Sequence, residues 1–338
     1  MTKIKHTGTY YISIILMICM CFMSSCTYDY FDDETNYVVY VPKADENERT
    51  DTYKIEDLTI LIYNPSSLEK ERRSSFPFDD NARTRVGNFN FKLFPGEHSV
   101  FCLTNTSGLE FAETNSFTDA RFTLKQEGEY YIEPSVVLLD TMKPLILFPG
   151  PVITDIAYFE KKYVGRICVV FKNLTNINSN LTYSNINKVE AIVEGIGTKQ
   201  YLSHIMDSTK TRSSRNSSAD RMFISPQLYD NPYQDFDFGF DSYYFPSPDL
   251  TEEGQEMEPI RFHLNFYDSN GNLLNSNPLE SSLTDRATGK PIPLHMNQTL
   301  ILAIDGNTIQ VLTLDNPLDW DSTVEKEKDN TPGGGTEI

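Results

Sequence analysis

Short runs of β-branched, aromatic and aliphatic residues, bounded by Pro, Gly, Asn and Asp, make up most of the sequence. Such runs are typical of β-strands, and several alternate with a period of two, which gives a strand one buried and one solvated face. Nine runs carry this signal: NYVVYV, LTILIYN, FNFKLF, HSVFCLTN, RICVVFKN, NKVEAIVEG, RFHLNFYD, QTLILAID and TIQVLTL. Because little of the chain has a helical period, the pattern predicts an all-β protein built from antiparallel β-sandwiches.

The segment YDSNGNLL places Asn270 and Gly271 between two apolar runs. An Asn-Gly pair in this position is a strong signal for a β-hairpin. The same letters could open a calcium loop, but Leu273 occupies the sixth position, where that loop needs glycine for its tight turn. The sequence therefore favours a hairpin over a metal site here.

Two breaks in composition indicate how the chain is organised. Pro144, Pro149, Gly150 and Pro151 interrupt the strand pattern, and the polar stretch 207–220 indicates a loop within the second half. The last residues have too little apolar content to fold alone. The predicted division is a leader at 1–25, an acidic tether at 26–36, an N-terminal β-sandwich at 37–155, a C-terminal β-sandwich at 156–320 and a disordered tail at 321–338.

The N-terminus has the pattern of a secretory signal. Lys3 and Lys5 precede an apolar stretch at 10–23, which is shorter than the ~20 residues of a membrane-spanning helix. Met23, two serines and Cys26 then resemble a bacterial lipobox, with Met in place of the commoner Leu. This pattern predicts that Cys26 becomes the acylated first residue of the mature protein. An ordinary signal cut near Ser25 and an uncleaved anchor are the alternatives.

An acidic cluster follows this cysteine, formed by Asp29, Asp32, Asp33 and Glu34. The cluster resembles the surface-export signal of lipoproteins in Bacteroides relatives. A solvated tether of the kind that any lipoprotein needs would have the same composition. The sequence leaves these two interpretations open.

Charge and cysteine content narrow the range of partners. The formal net charge is −19 at pH 7, and removal of Lys3 and Lys5 with the leader would make it −21. Such a chain repels phosphate backbones, so we expect no nucleic-acid partner. Cys102 and Cys168 lie in apolar runs, which predicts that they are small buried side chains.

The chemistry of an enzyme is not visible in the sequence. Four histidines of the mature chain are scattered without metal-ligand spacing, namely His98, His204, His263 and His295. No glycine-rich segment has the strand-turn-helix context of a phosphate loop. We therefore expect no catalysis, no cofactor and no metal, although a lipid-anchored hydrolase remains an alternative class.

One aromatic segment, YDNPYQDFDFGFDSYYFPSPD, invites two interpretations. As an edge strand it would bury its phenylalanines and expose its acids; as a loop it would offer aromatic faces to a sugar or a partner subunit. Burial is favoured because aromatic side chains gain much from it. The candidate contact residues under the second interpretation are Phe236, Phe238, Phe240, Tyr243 and Tyr244.

Several motifs together resemble the fimbrial anchor lipoproteins of Bacteroides relatives, the FimB-like branch of the fimbrillin superfamily. The resemblance covers most of residues 37–320, and an insertion near 212–244 departs from it in a way that could mark an accessory or tip-like subunit. The motifs are the lipobox with its short tether, KIEDLTILIYN, FKLFPGEHSVFCLTNTSG, PLILFPG before GRICVVFKNL, FYDSNGNLL and the single Trp320.

This resemblance implies two tandem transthyretin-like antiparallel β-sandwich domains and a non-catalytic role. It implies an outer-membrane, surface-exposed protein that anchors or terminates a fimbria and supports adhesion. Its partners would be fimbrial subunits, joined by strand exchange, and the membrane, joined through the lipid. In this family a stem subunit loses its first strand to an arginine-directed protease, whereas an anchor keeps it. YVVYV begins ten residues after Cys26, so cutting at Arg49 would sever lipid and strand together.

An anchor would have to donate a strand at the end remote from its lipid. The C-terminal candidate lies within residues 307–320, where Ile309, Val311, Leu312 and Leu314 could fill a groove. The interpretation that we favour slightly is that TIQVLTL closes the second sandwich within its own chain. A surface lipoprotein that binds glycans through the aromatic segment is the alternative function.

Overall fold

The computed structural model describes residues 35–41, 57–64, 69–77, 87–141, 145–159, 161–206, 219–230, 235–248 and 258–313. Within these ranges the protein is almost entirely β, which confirms the predicted all-β class. The strands of the first half are β1 (Tyr37–Val41), β2 (Asp57–Asn64), β3 (Glu69–Pro77), β4 (Gly87–Phe91), β5 (Gly96–Thr104), β6 (Leu109–Ala112), β7 (Arg121–Leu124), β8 (Gln126–Glu127), β9 (Tyr130–Tyr131), β10 (Leu138–Thr141), β11 (Leu145–Leu147) and β12 (Ile153–Ile156).

The remaining elements follow in the second half. The strands are β13 (Lys161–Lys162), β14 (Gly165–Lys172), β15 (Lys188–Glu194), β16 (Lys199–Tyr201), β17 (Arg221–Ile224), β18 (Tyr229–Asp230), β19 (Phe238–Tyr244), β20 (Arg261–Tyr267), β21 (Leu279–Ser282), β22 (Thr299–Asp305) and β23 (Thr308–Thr313). A 3-10 turn covers Leu174–Asn176, and one short helix, α1, covers Leu202–Met206. All nine runs predicted to be strands form strands.

Two sheets build the N-terminal half. Sheet 1 has the order β12-β1-β4, and sheet 2 has the order β13-β10-β5-β2-β3, with β11 also paired to β5. One apolar cluster lies between them and includes Tyr37 and Val39 from sheet 1 and Ile60 and Val100 from sheet 2. The pair forms a β-sandwich.

Sheet 2 is buried on both faces, and this explains why its central strands are continuous apolar runs. In β2, Ile60 and Ile62 face sheet 1, whereas Leu61 and Tyr63 enter a second and larger cluster. Strand β5 divides its side chains between the two clusters in the same way. A strand with two buried faces loses the alternation of a half-exposed strand.

The C-terminal half is a second pair of packed sheets. Sheet 3 has the order β18-β19-β14-β22-β23, and sheet 4 has the order β21-β20-β15-β17-β9-β8. Strands β14 and β22 run parallel, and the other pairs in sheet 3 are antiparallel. Phe171 and Phe240 of sheet 3 share the larger cluster with Phe262 and Phe266 of sheet 4.

The two halves exchange strands with each other. The hairpin β8–β9 joins the edge of sheet 4 through a parallel bridge from Tyr131 to Met222. In return, β16 pairs with β7 in the small sheet β16-β7-β6. Because the larger cluster runs from Leu61 to Val311, both halves contribute to one core. The division at residues 155/156 into tandem domains stays a prediction.

The predicted turn at Asn270-Gly271 is confirmed. The Gly271 N–H donates to the Asp268 carbonyl at 3.0 Å, and the Asp268 N–H donates to the Asn272 carbonyl at 3.0 Å. Gly271 has a φ of +79°, a conformation that side chains with a Cβ rarely adopt. An antiparallel bridge between Tyr267 and Leu273 closes the hairpin.

Candidate functional site

The first strand, β1, lies in the middle of sheet 1. It pairs antiparallel with β4 on one side and parallel with β12 on the other. Tyr37, Val39 and Val41 have no exposed surface and form part of the cluster between sheets 1 and 2. The strand therefore completes the N-terminal sandwich from inside the sheet rather than from its edge.

Asn36 fixes the point at which the chain enters this strand. Its side chain donates to the Leu93 carbonyl at 2.7 Å and accepts from the Leu93 N–H at 2.9 Å. Its backbone donates to Phe91 and accepts from Ile153, both at 3.1 Å. These four hydrogen bonds hold the register of β1 against both neighbouring strands.

The predicted lipid attachment site, Cys26, lies outside the described residues, and its acylation stays a prediction. In the sequence it is separated from Tyr37 by ten residues. A peptide of that length spans at most ~35 Å when fully extended. A lipid on Cys26 would therefore hold sheet 1 close to the membrane.

The last described strand, β23, is arranged differently. It pairs with β22 alone and is the edge of sheet 3 within the described part of the chain. Val311 is buried in the larger cluster, where the half-buried Ile309 also packs. Leu312 points to the other face of the sheet, and Leu314 lies outside the described residues. This placement matches a closing strand within the chain; strand donation stays a prediction.

The structure agrees with the favoured interpretation of the aromatic segment, in which its rings are buried. Phe238, Phe240 and Tyr244 lie on β19 and are core side chains, with at most 2% of their surface exposed. Phe238 stacks on Phe171 with a centroid distance of 4.8 Å. These three rings cannot meet a sugar or a partner in this fold. Phe236 and Tyr243 are half-buried and pack against apolar clusters.

The opposite face of β19 carries a polar network that sequence reasoning missed. Asp241 forms an ion pair with Arg166 and accepts a hydrogen bond from the Tyr229 hydroxyl at 2.5 Å. Its neighbour Tyr243 donates its N–H to the Glu133 carboxylate at 2.8 Å. Burial, reinforced by the charge of Asp241, raises the pKa of Glu133 to about 7 although this hydrogen bond lowers it. Glu133 thus connects the first half of the chain to sheet 3.

Cys102 and Cys168 are buried thiols that form no disulfide with each other, as the sequence predicts. Burial raises the pKa of the Cys102 thiol well above its ordinary value. Among the described residues there is no cluster of three or more His, Cys, Asp or Glu side chains that could hold a metal ion. In the same ranges, no helix is long and apolar enough to cross a membrane.

Comparisons with known proteins give structural neighbours only. No family model matches the sequence, and no curated protein matches it. The structure is similar to a candidate polysaccharide-binding protein from Bacteroides thetaiotaomicron, with a TM-score of 0.49 and 10% identity over 83% of this chain and 96% of that one.

Two further neighbours come from Porphyromonas gingivalis. The fimbrial anchor protein Mfa2 has a TM-score of 0.44 and 10% identity, over 82% of this chain and 96% of that one. The tip fimbrial protein Mfa3, truncated at its C-terminus, has a TM-score of 0.41 and 10% identity, over 82% of this chain and 97% of that one.

Proposed function

We propose that this chain is a lipid-anchored fimbrial subunit that holds or terminates a fimbria at the outer surface of the cell. The observation that carries the proposal is the position of β1. The strand nearest to the predicted lipid is enclosed between β4 and β12, and its inward side chains belong to the core. A subunit built in this way keeps its first strand, as the fimbrial resemblance requires of an anchor and not of a stem subunit.

Force on a fibre has to pass from the folded body to the membrane. In the proposed protein it passes through β1, the ten-residue tether and the acylated Cys26. Each buried methylene of an acyl chain contributes ~0.8 kcal/mol to membrane binding, so several chains on one residue hold far better than one. Because β1 is paired on both sides, pulling it out would break two ladders of hydrogen bonds at once.

A route for joining the fibre is open at the other end of the chain. β23 leaves one edge of sheet 3 without a partner strand among the described residues. A second chain can add a strand to such an edge, which differs from the strand donation by the C-terminal segment that the sequence predicts for an anchor. We propose that the fibre joins by strand exchange at this C-terminal side, away from the lipid.

The experiment compares fibre retention by cells that express the natural chain, Cys26→Ala or Cys19→Ala. Cys19 lies in the predicted leader, so its replacement controls for loss of a thiol. We expect Cys26→Ala to lose incorporation of a fatty-acid probe and to release fibres into the medium. Cys19→Ala should behave like the natural chain. Lipid labelling that persists in Cys26→Ala, or fibres that stay on the cells without the lipid, would refute the proposal.

A further inference from the structure

A cleft opens beside the edge strands of the C-terminal sandwich. It lies between β21, the edge of sheet 4, and the β22–β23 turn of sheet 3, and has a volume of about 460 Å³. This volume is within the ~300–1,000 Å³ of small-molecule sites. The cleft has a mostly polar lining, and its principal lining residues are Arg261, His263, Ser281, Arg286, Thr308 and Ile309.

The cleft carries two positively charged side chains, although the protein as a whole is acidic. The whole chain has a formal net charge of −19, yet two exposed arginines, Arg261 and Arg286, line the cleft. Neither has an ion-pair partner among the described residues. Glu194 lies opposite Arg261 in the sheet, but it pairs with Arg221 at 2.9 Å. Both guanidinium groups are therefore available for an external anion.

Arg286 lies on a turn that internal hydrogen bonds hold in one conformation. The Asp285 carboxylate accepts from the Ala287 N–H at 2.7 Å and from the Thr288 hydroxyl at 2.7 Å. The Gly289 N–H closes the turn on the Asp285 carbonyl at 2.7 Å. A guanidinium on such a turn loses less freedom when it binds a ligand than one on a mobile loop.

A buried hydroxyl group in the cleft makes no hydrogen bond within the described part of the chain. Ser281 is 6% exposed, and its Oγ has no hydrogen-bond partner among the described residues. Its register partner is Phe262, so its side chain is on the inward face of sheet 4, whereas Arg261 and His263 are on the outward face. Arg261 begins β20 and Ser282 ends β21, so the cleft lies at the end of this strand pair, where residues of both faces line it. Buried polar groups are rarely left without partners, so the Ser281 hydroxyl in this cleft indicates a ligand.

We infer that this cleft binds one carboxylate-bearing sugar residue, a uronate. Two arginines can hold a carboxylate through paired N–H donors, which is the strongest recognition that side chains offer this group. The hydroxyls of Ser281 and Thr308 can then exchange hydrogen bonds with the hydroxyl groups of the sugar ring.

The acidic residues around the cleft favour a ligand with one negative charge over a polyanion. Glu280 lines the same cleft, and its carboxylate lies 3.7 Å from His263 Nδ1. A polyanion such as nucleic acid would meet this carboxylate and the negative field of the whole chain. A sugar with one carboxylate can instead place its charge between the arginines and turn neutral hydroxyls toward Glu280.

The test is calorimetric titration of the purified full-length protein with D-glucuronate, with glucose and acetate as reference ligands. We expect D-glucuronate to bind at least ~10-fold more tightly than either, because only it fills the charged and the hydroxyl positions together. Arg261→Gln and Arg286→Gln should each weaken binding by about 10-fold or more. Lys188→Gln is the matched control, since Lys188 lies on the same sheet, pairs with Glu190 and is not a lining residue.

The arginines are exposed, so their variants should melt like the natural protein, and melting curves verify this before titration. Equal binding of glucuronate and glucose would overturn the inference, and so would arginine variants that bind as tightly as Lys188→Gln. Acetate that binds as tightly as glucuronate would overturn the assignment to a sugar. None of these outcomes depends on lipid attachment or on fibre assembly, so the anchor proposal stands or falls separately.

Discussion

The strands at the two ends of the described chain, β1 and β23, hold opposite positions in their sheets. β1 has a neighbour on both sides and buries Tyr37, Val39 and Val41 completely. β23 has one neighbour, and Gln310 in its middle is exposed. The sequences agree with these positions, since YVVYV is apolar throughout and TIQVLT is half polar. The first strand is therefore fixed within its sheet, whereas the last described strand leaves an edge that a second chain can reach.

The largest effect should come from a charge placed in β1. Val39→Asp would bury a carboxylate in the cluster between sheets 1 and 2, where no cation lies among the cluster's residues. We expect a loss of about 4 kcal/mol in the free energy of unfolding, because an unpaired buried charge is among the most destabilising changes. Chemical denaturation, followed by far-UV circular dichroism, measures this loss in the free energy of unfolding.

Gln310→Asp is the matched control on β23, since it places the same side chain at an exposed position. It should change stability by less than ~0.5 kcal/mol. Equal losses in the two variants would mean that the two strands are held alike, and the comparison would fail.

A smaller effect should follow from Val311→Ala in β23. Val311 is 1% exposed and packs in the larger cluster. Removing its methyl groups should cost about 2 kcal/mol through lost burial and the cavity left behind. Thermal unfolding measures this loss. An unchanged melting curve would indicate that β23 is not packed in the sandwich, and would favour its use as a donor strand.

The smallest effect concerns Glu133, which joins the first half of the chain to sheet 3, the sheet of β23. Its pKa is about 7 in the folded protein and near 4.5 when unperturbed. Between these pH values the folded state holds a proton that the unfolded state has released, so this group makes stability fall as pH rises through the window. Below the window the effect is absent, and above pH 7 the penalty is complete.

Glu133→Gln keeps an oxygen that can accept the Tyr243 N–H and removes the charge. We expect it to raise the free energy of unfolding at pH 8 by roughly 1 kcal/mol and to leave it unchanged at pH 4. This value is smaller than the full pKa shift would give, because Glu133 is partly exposed. Denaturation curves at a series of pH values measure this. A gain of the same size at pH 4 and pH 8 would show that the carboxyl does not titrate in this window.

Much of the fold could be predicted from the sequence because strands with strong apolar patterns are visible without tertiary information. β14 and β22 are examples, with continuous apolar runs that form the centre of sheet 3. β3 was not predicted, because EKERRSSFP is polar and its strand depends on pairing with β2. The two-residue strands β8 and β9 depend likewise on sheet 4, to which they add an edge.

The sites were harder to predict than the strands. The alternation of Phe238 and Phe240 fits both burial and contact, with burial favoured, and only packing against Phe171 shows that both rings are buried. Glu133 and Tyr243 are 110 residues apart in the sequence. Many other pairs have the same separation and make no contact, so the sequence does not single this pair out. The cleft combines residues of β20, β21 and β23 with a turn, so no local motif could reveal it.

Native-state hydrogen exchange compares β1 and β23 in one sample. The amides of Val38 and Val39, enclosed between β4 and β12, should exchange only when the whole N-terminal sandwich unfolds. The outward amides of β23 should exchange much faster under the same conditions. Slow exchange throughout β23 combined with fast exchange in β1 would refute the anchor arrangement, since the first strand would then be the one that leaves the fold.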